Sequence, residues 1–285
     1  MEYFAGVSEA LRLTFVQIMI ISILSVGIFL VGMYINLKKW GMGSTGYGQS
    51  PSKSIMAFPK MLMYQMSQHA HVHNQSVLTT FVLDILFQRR ILQRSPLRWF
   101  MHFTIFVGWM TLFAMSGAMF FVEMTHMIGE KVGYAESLPW FMNPEVFREL
   151  LSVPNDIFSY ILLIGIIIAI YRRLFVAKTR EATIAYDSIL LIGLTVITVT
   201  GFIADGIRNN TIWNGVINFD WTIPMTNIAL SLHYGDPIFP FTYAPPAALF
   251  HVIISLLFCI AYIPFSKYIH IIAIPLALLA NKGGE

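Results

Sequence analysis

Five stretches of this chain are long and apolar enough to cross a lipid bilayer, and such segments can adopt few conformations. The hydrocarbon core offers the backbone no water, so a crossing segment must satisfy its own N–H and C=O groups as a helix or within a closed barrel. About 20 residues cross the core as a helix. Residues 13–35, 99–121, 154–171, 184–203 and 244–263 are runs of this kind, and the last continues as apolar sequence to Ala280. With 56% hydrophobic and only 12% charged residues, the chain is too apolar for an ordinary soluble domain. The expectation is an all-α integral membrane protein, a single five-helix bundle over residues 1–285. The first run lacks a small-residue cleavage pattern and ends in Lys38 and Lys39, so it reads as a retained span rather than a signal peptide.

Five spans place the termini on opposite sides, and the connecting segments then divide the cations unevenly. Fourteen of the 18 Lys and Arg residues fall on one side; Arg12, Lys131, Arg148 and Arg208 fall on the other, among acids such as Glu123, Glu130, Glu136, Glu145 and Glu149. The positive-inside rule then sets the N-terminus outside and the C-terminus in the cytoplasm of a cell-membrane protein. Pro154 in "SVPND" and the prolines of "YAPPAA" stand where helices begin without needing their N–H, and so suggest the starts of spans three and five. The cytoplasmic connection, 40–98, has Val77, Phe81, Ile85, Leu86, Ile91 and Leu92 at roughly helical spacing against a basic face. That pattern suits a surface helix or a partner-docking element. The outer connection, 204–243, is rich in Asn, Trp, Gly and Pro and reads as an ordered cap. No internal repeat supports an inverted-repeat transporter.

Three of the eight histidines fall within or at the edge of spans: His102, His251 and His270. An imidazole at membrane depth needs partners that lipid does not supply, which makes it a functional candidate, although a helix-to-helix hydrogen bond would also satisfy it. His102, at the cytoplasmic start of the second span, and His270, at the cytoplasmic end of the fifth, share a depth. Neutral imidazole is a usual axial ligand of haem iron, so two helices presenting histidines at one level can clamp a haem. Arg98 precedes His102 by four residues and Lys267 precedes His270 by three, which puts each cation on its histidine's helix face. Both suit haem propionates, and both equally suit anchoring at the membrane surface.

His251 lies nineteen residues before His270. As one regular helix that separation is roughly 28 Å, with the two side chains turned about 100° apart. The pair cannot share an iron, and an outer haem stacked across the membrane from the inner one is expected. Pro264, in "IPFSK", is expected to kink or bulge the helix so that both imidazoles face one interior. For the outer haem the simplest reading is five-coordinate, high-spin iron on His251 alone. Met115, Met119, His126 and His233 are weaker candidates for a sixth ligand. The cluster of His69, His71 and His73 lacks neighbouring Cys, Asp or Glu apart from Asp84, so a partner-contacting polar segment is favoured over a metal site. "NNT" at Asn209 matches a glycosylation acceptor, a weak signal at that length. Cys259 stands alone, so the chain supplies neither a disulfide nor an iron-sulfur cluster of its own.

The five-span plan, the histidine near the start of the second span, and "PFSKYIH" ahead of the last histidine resemble the nitrate reductase gamma-type cytochromes b. "VLDILFQRRILQRSPLRWFMH", "MEYFAGVSEALRLTFVQIMI" and "KKWGMGSTGYG" are similar to the branch containing the sulfite-reduction membrane subunits and the E subunit of heterodisulfide reductase from methanogenic archaea. The resemblance covers essentially the whole chain. In the gamma-type proteins the second span carries two histidines ten residues apart; His102 matches the first, and Leu112 stands at the second. The resemblance therefore implies two haem b groups, an inner one on His102 and His270 and an outer one keeping only His251.

It further implies an electron-transfer subunit that oxidises a membrane-soluble carrier, dihydromethanophenazine. Electrons would pass to a cytoplasmic iron-sulfur catalytic subunit, resembling the D subunit of heterodisulfide reductase, that reduces the coenzyme M-coenzyme B heterodisulfide. Lipid, carrier and that catalytic protein are the partners implied, and no nucleic acid is expected. Proton release outside would charge the membrane, with Glu123, His126, Asp156 and Asp205 as unranked acceptors. Alternatives are a quinol-oxidising cytochrome b of a sulfite or nitrate reductase-type complex, a proton-coupled transporter relaying through His102 and Asp187, and a haem-free membrane anchor.

Overall fold

The computed structural model describes residues 9–43, 52–73, 76–212 and 244–280, with side chains over 13–43, 52–67, 76–204 and 246–279. The described residues are helical, with no strand among them. In order they form α1 (Glu9–Gly41), α2 (Ala57–His73), α3 (Val77–Leu86), α4 (Arg89–Arg94), α5 (Pro96–Val132), α6 (Pro144–Phe175), α7 (Ala177–Glu181), α8 (Ala185–Ile212), α9 (Ala244–Leu256) and α10 (His270–Ala280). Four helices, α1, α5, α6 and α8, are long and apolar enough to cross a membrane. The fifth expected span is apolar but interrupted, because α9 gives way to a π-helical turn at Leu257–Ala261 and two 3₁₀ turns at Ile263–Phe265 and Lys267–Ile269.

Two compact units make up the chain: Met1–Ile18 with Phe100–Val252, and Met19–Trp99 with Ile253–Glu285. In the first, α5 and α6 approach through glycines. A Cβ on Gly108 would lie 2.8 Å from the Cβ and backbone nitrogen of Leu162, and one on Gly165 would lie 2.6 Å from Thr104 Oγ1 and 2.9 Å from the nitrogen of Ile105. Small residues permit such close backbone packing where lipid gives helices no hydrophobic reason to associate. Leu162 and Ile166, beside these glycines, are almost wholly buried.

Local chemistry sets the ends of these helices. α5 starts on Pro96 after extended Ser95, whose Oγ accepts from the Arg98 N–H, and it ends at Gly133, whose φ of +82° suits a glycine after the last turn. α6 starts earlier than the apolar run suggests. Asn143 caps it by accepting from Glu145 N at 2.9 Å, and Pro144 occupies the first position, so Pro154 lies inside the helix rather than at its start. Pro154 opens the hydrophobic run but not the helix, because the capping set lies in the polar stretch ahead of that run.

In the second unit the expected single surface helix over 77–92 is two pieces. α3, π-helical from Thr80, ends before Gln88, whose φ is +51°, and α4 follows. Buried Asp84 accepts from Arg89 Nε at 3.0 Å with Arg90 Nε at 3.7 Å. Part of the basic face is thus paired with a buried acid, although Arg90 stays exposed. Trp99 Nε1 donates to the Phe87 carbonyl at 2.7 Å and ties the end of this segment to the start of α5.

The interruption after α9 also belongs to this unit. The Tyr262 N–H reaches back to the Leu257 carbonyl, which marks the π turn, and Ser266 is extended with its Oγ capping the next turn by accepting from Tyr268 N at 3.1 Å. Asn36 Nδ2 on α1 donates to the Pro264 carbonyl at 2.9 Å and to the Gly32 carbonyl at 3.1 Å, so a carbonyl exposed by the break is satisfied from α1. A Cβ on Gly32 would lie 2.5 Å from that of Pro264.

Replacing Gly108 or Gly165 by Ala is expected to destabilise the protein by about 1–3 kcal/mol each, because neighbouring backbone must move to admit the methyl group. The double variant should lose less than the sum, since both changes open one interface. Thermal unfolding in detergent measures both quantities.

Candidate functional site

His251 lies in the second turn of α9, half-buried and opposite α8. Its Nδ1 is 3.1 Å from Thr200 Oγ1. Thr200 has one hydroxyl proton, and its own helix offers two acceptors, the carbonyls of Val196 at 2.8 Å and Ile197 at 3.1 Å. When that proton goes to the backbone, the hydroxyl accepts and His251 carries its proton on Nδ1. Nε2 then holds the lone pair that a metal ligand requires, the arrangement by which a second group fixes a histidine's tautomer and ring orientation.

The residue after Thr200 fits the same ring. A Cβ on Gly201 would stand 3.0 Å from His251 Cε1 and 3.6 Å from each ring nitrogen, so the imidazole edge occupies space that only glycine leaves. One α8 dipeptide therefore supplies both an acceptor and clearance. A haem is a group this imidazole would fit, because the neutral Nδ1–H tautomer is the ligating form and Gly201 leaves the ring room to lie against α8.

His102 lies in the second turn of α5, half-buried, within the same unit as His251, and Arg98 precedes it by one turn with its side chain exposed. His270 begins α10 in the other unit. Its Nδ1 is 2.5 Å from the Lys267 carbonyl, an acceptor only, which again assigns the proton to Nδ1 and the lone pair to Nε2. Lys267 itself is exposed. All three candidate histidines are therefore on helices; the Lys267 carbonyl fixes the Nδ1–H tautomer of His270, and the Thr200 hydroxyl is placed to favour the same one at His251.

Among the weaker candidates, His126 approaches Glu130 one turn on, with Nε2 3.8 Å from Oε1, while Met115 and Met119 are half-buried on α5. Of the acids, Glu123 is buried and accepts from Arg148 Nη2 of α6 at 2.5 Å; Asp156 is buried on α6, and Asp187 is half-buried in the first turn of α8. The side chains of His69, His71, His73, Asp205 and Asn209, the residue His233, and the cap beyond Ile212 lie outside the described residues. Among the described residues no group of three His, Cys, Asp or Glu could hold a bare metal ion. The Thr200–Gly201 lock and the Glu123–Arg148 pair were not found by sequence reasoning. "VTGF" within a span was the one signal for the former, and partners 25 residues apart gave none for the latter.

Apolar helices of membrane length, with ionisable and imidazole groups held between them, define a multi-pass helical membrane protein with an internal polar site. Residues 78–235, more than half of the chain, match the HdrE family model, which describes the E subunit of dihydromethanophenazine:CoB--CoM heterodisulfide reductase. The E subunits of that reductase from Methanosarcina mazei and Methanosarcina thermophila are 55% and 53% identical to it over all of this chain, and over 100% and 98% of their own lengths. The chain belongs to this HdrE family, the E subunits of heterodisulfide reductase, and is an electron-transfer component of an oxidoreductase with further subunits. No solved structure matches it.

Substituting Val for Thr200 leaves the Nδ1–H of His251 facing a methyl group, at an expected cost of about 1–3 kcal/mol, whereas Ser restores the acceptor. Nitrogen-15 histidine spectra should show the Nδ1–H tautomer in the wild type and in T200S, and a loss of that fixed state in T200V.

Proposed function

We propose that this chain is the haem b subunit through which a heterodisulfide reductase complex takes electrons from dihydromethanophenazine. The carrying observation is the hydrogen-bonded His251, prepared as a ligand by Thr200 and Gly201 in a chain alike over its full length to named E subunits of that reductase. His102 and His270 would hold an inner haem, with Arg98 and Lys267 as the cations for its propionates. His251 holds an outer haem as its one protein ligand. Bound haem supplies one-electron steps to a carrier that gives up its electrons in pairs.

The chain's own residues do the rest. Thr200 holds the Nδ1 proton of His251, Lys267 holds that of His270, and the apolar spans exclude water from the electron path. Five spans, counting the interrupted α9 to α10 segment as the fifth, put the N-terminus outside and the C-terminus in the cytoplasm. There residues 40–98 dock an iron-sulfur catalytic protein, resembling the reductase's D subunit, which reduces the coenzyme M-coenzyme B heterodisulfide. Carrier oxidation at the outer end releases protons outside, which couples the reaction to membrane charging.

A reduced-minus-oxidised optical spectrum with electron paramagnetic resonance on the purified complex tests the assignment. Two haem b centres are expected, one low-spin and one high-spin. H102A and H270A should each abolish the low-spin signal, and H251A the high-spin one. A complex without haem absorbance would overturn the proposal.

A further inference from the structure

We propose that Glu123, held by Arg148, is the proton acceptor of the carrier-oxidation site. This rests on the reading that the chain oxidises a dihydrophenazine-type carrier. Each dihydro carrier breaks two N–H bonds and releases two protons and two electrons. The electrons leave singly through the complex to a disulfide, the oxidant, which takes up both. The protons need a base at the outer end of the membrane, shielded from bulk water, with an unused lone pair and an outlet.

Glu123 meets those conditions. It lies 21 residues beyond His102 on α5, roughly 30 Å along the helix and so at the opposite end from the inner-haem candidate. Its side chain is only 7% exposed. Oε1 accepts from Arg148, whereas Oε2 is wholly buried with no hydrogen bond. An ionised carboxylate oxygen in that state is costly unless a donor arrives, and the N–H of a reduced carrier is such a donor. The charged or titratable groups acting on Glu123 are Arg148 of α6 and His126 of α5. Arg148 orients the carboxylate through Oε1, and its side chain, 50% exposed, reaches solvent. Protonation of Glu123 removes the charge that holds Arg148, which lets the proton leave beside the guanidinium.

Of the other acids in this unit, buried Asp156 on α6 has a partner of its own, and three more are placed differently. Glu130 faces His126, Glu145 lies in the exposed first turn of α6, and Asp187 starts α8, at its far end from Thr200. α6 also links Glu123 to the His251 lock. Arg148, Ser152, Asp156 and Tyr160 recur every four residues, a polar stripe that winds slowly along the helix, and the Tyr160 ring lies 5.0 Å from that of Phe202, next to Gly201.

The test uses the intact complex with dihydrophenazine as donor and the heterodisulfide as acceptor, each rate divided by the reduced-viologen rate of the same preparation. E123Q is expected to lower that ratio about 100-fold, with E123D recovering at least a tenth of it. Redox infrared difference spectra of the wild type should show a carboxyl C=O band that E123Q lacks and E123D keeps, shifted. A ratio in E123Q above half the wild-type value overturns the assignment. So does a wild-type spectrum without a carboxyl band, which decides the matter even if E123Q fails to assemble. A wild-type complex that cannot oxidise dihydrophenazine sinks the underlying functional reading and this assignment with it; a competent wild type with an equally competent E123Q sinks only the latter.

Discussion

A polar group at membrane depth must find its partner within the protein, and much of this structure answers that requirement. Thr104, Thr195, Thr198 and Thr200 return their hydroxyl protons to carbonyls three or four residues back, which lets them sit on apolar helices. At Thr200 the same economy leaves a lone pair facing His251. The backbone of α8 thus biases the tautomer of an imidazole it does not touch, through the Thr200 hydroxyl.

Backbone interruptions obey the same rule. Between Leu257 and Ile269 the chain leaves α geometry, and its displaced groups are taken up by a π turn, by the Ser266 cap and by the Asn36 amide. Irregular backbone at this depth is tolerated where protein covers it, and Ile263, Pro264 and Ser266 are buried. The separation and rotation derived for a continuous helix from His251 to His270 therefore do not apply, because no continuous helix joins them.

What could be read in advance follows from the range of each signal. Apolar runs announce spans directly, and four of the five expected became long helices with limits displaced outward, since caps such as Asn143 and Ser95 lie in polar sequence that a hydropathy reading passes over. Pro264 was legible as a break because proline removes a donor wherever it stands, although Pro154 shows that a long helix can absorb one. The histidines were legible by type. Their settings were not, for Thr200 lies 51 residues from His251, Arg148 lies 25 from Glu123, and only folding brings such partners together. The basic residues after Asp84 illustrate the opposite failure, since helical periodicity was present but a buried acid bent the chain at Gln88.

The bond from Asn36 to the Pro264 carbonyl joins positions 228 residues apart, almost the length of the chain. During synthesis Asn36 is made 228 residues ahead of this partner, and until then the Gly32 carbonyl of its own helix is the acceptor at hand. The unit built from 19–99 and 253–285 can therefore close only once both of its segments exist, so its folding waits on a contact of long sequence separation.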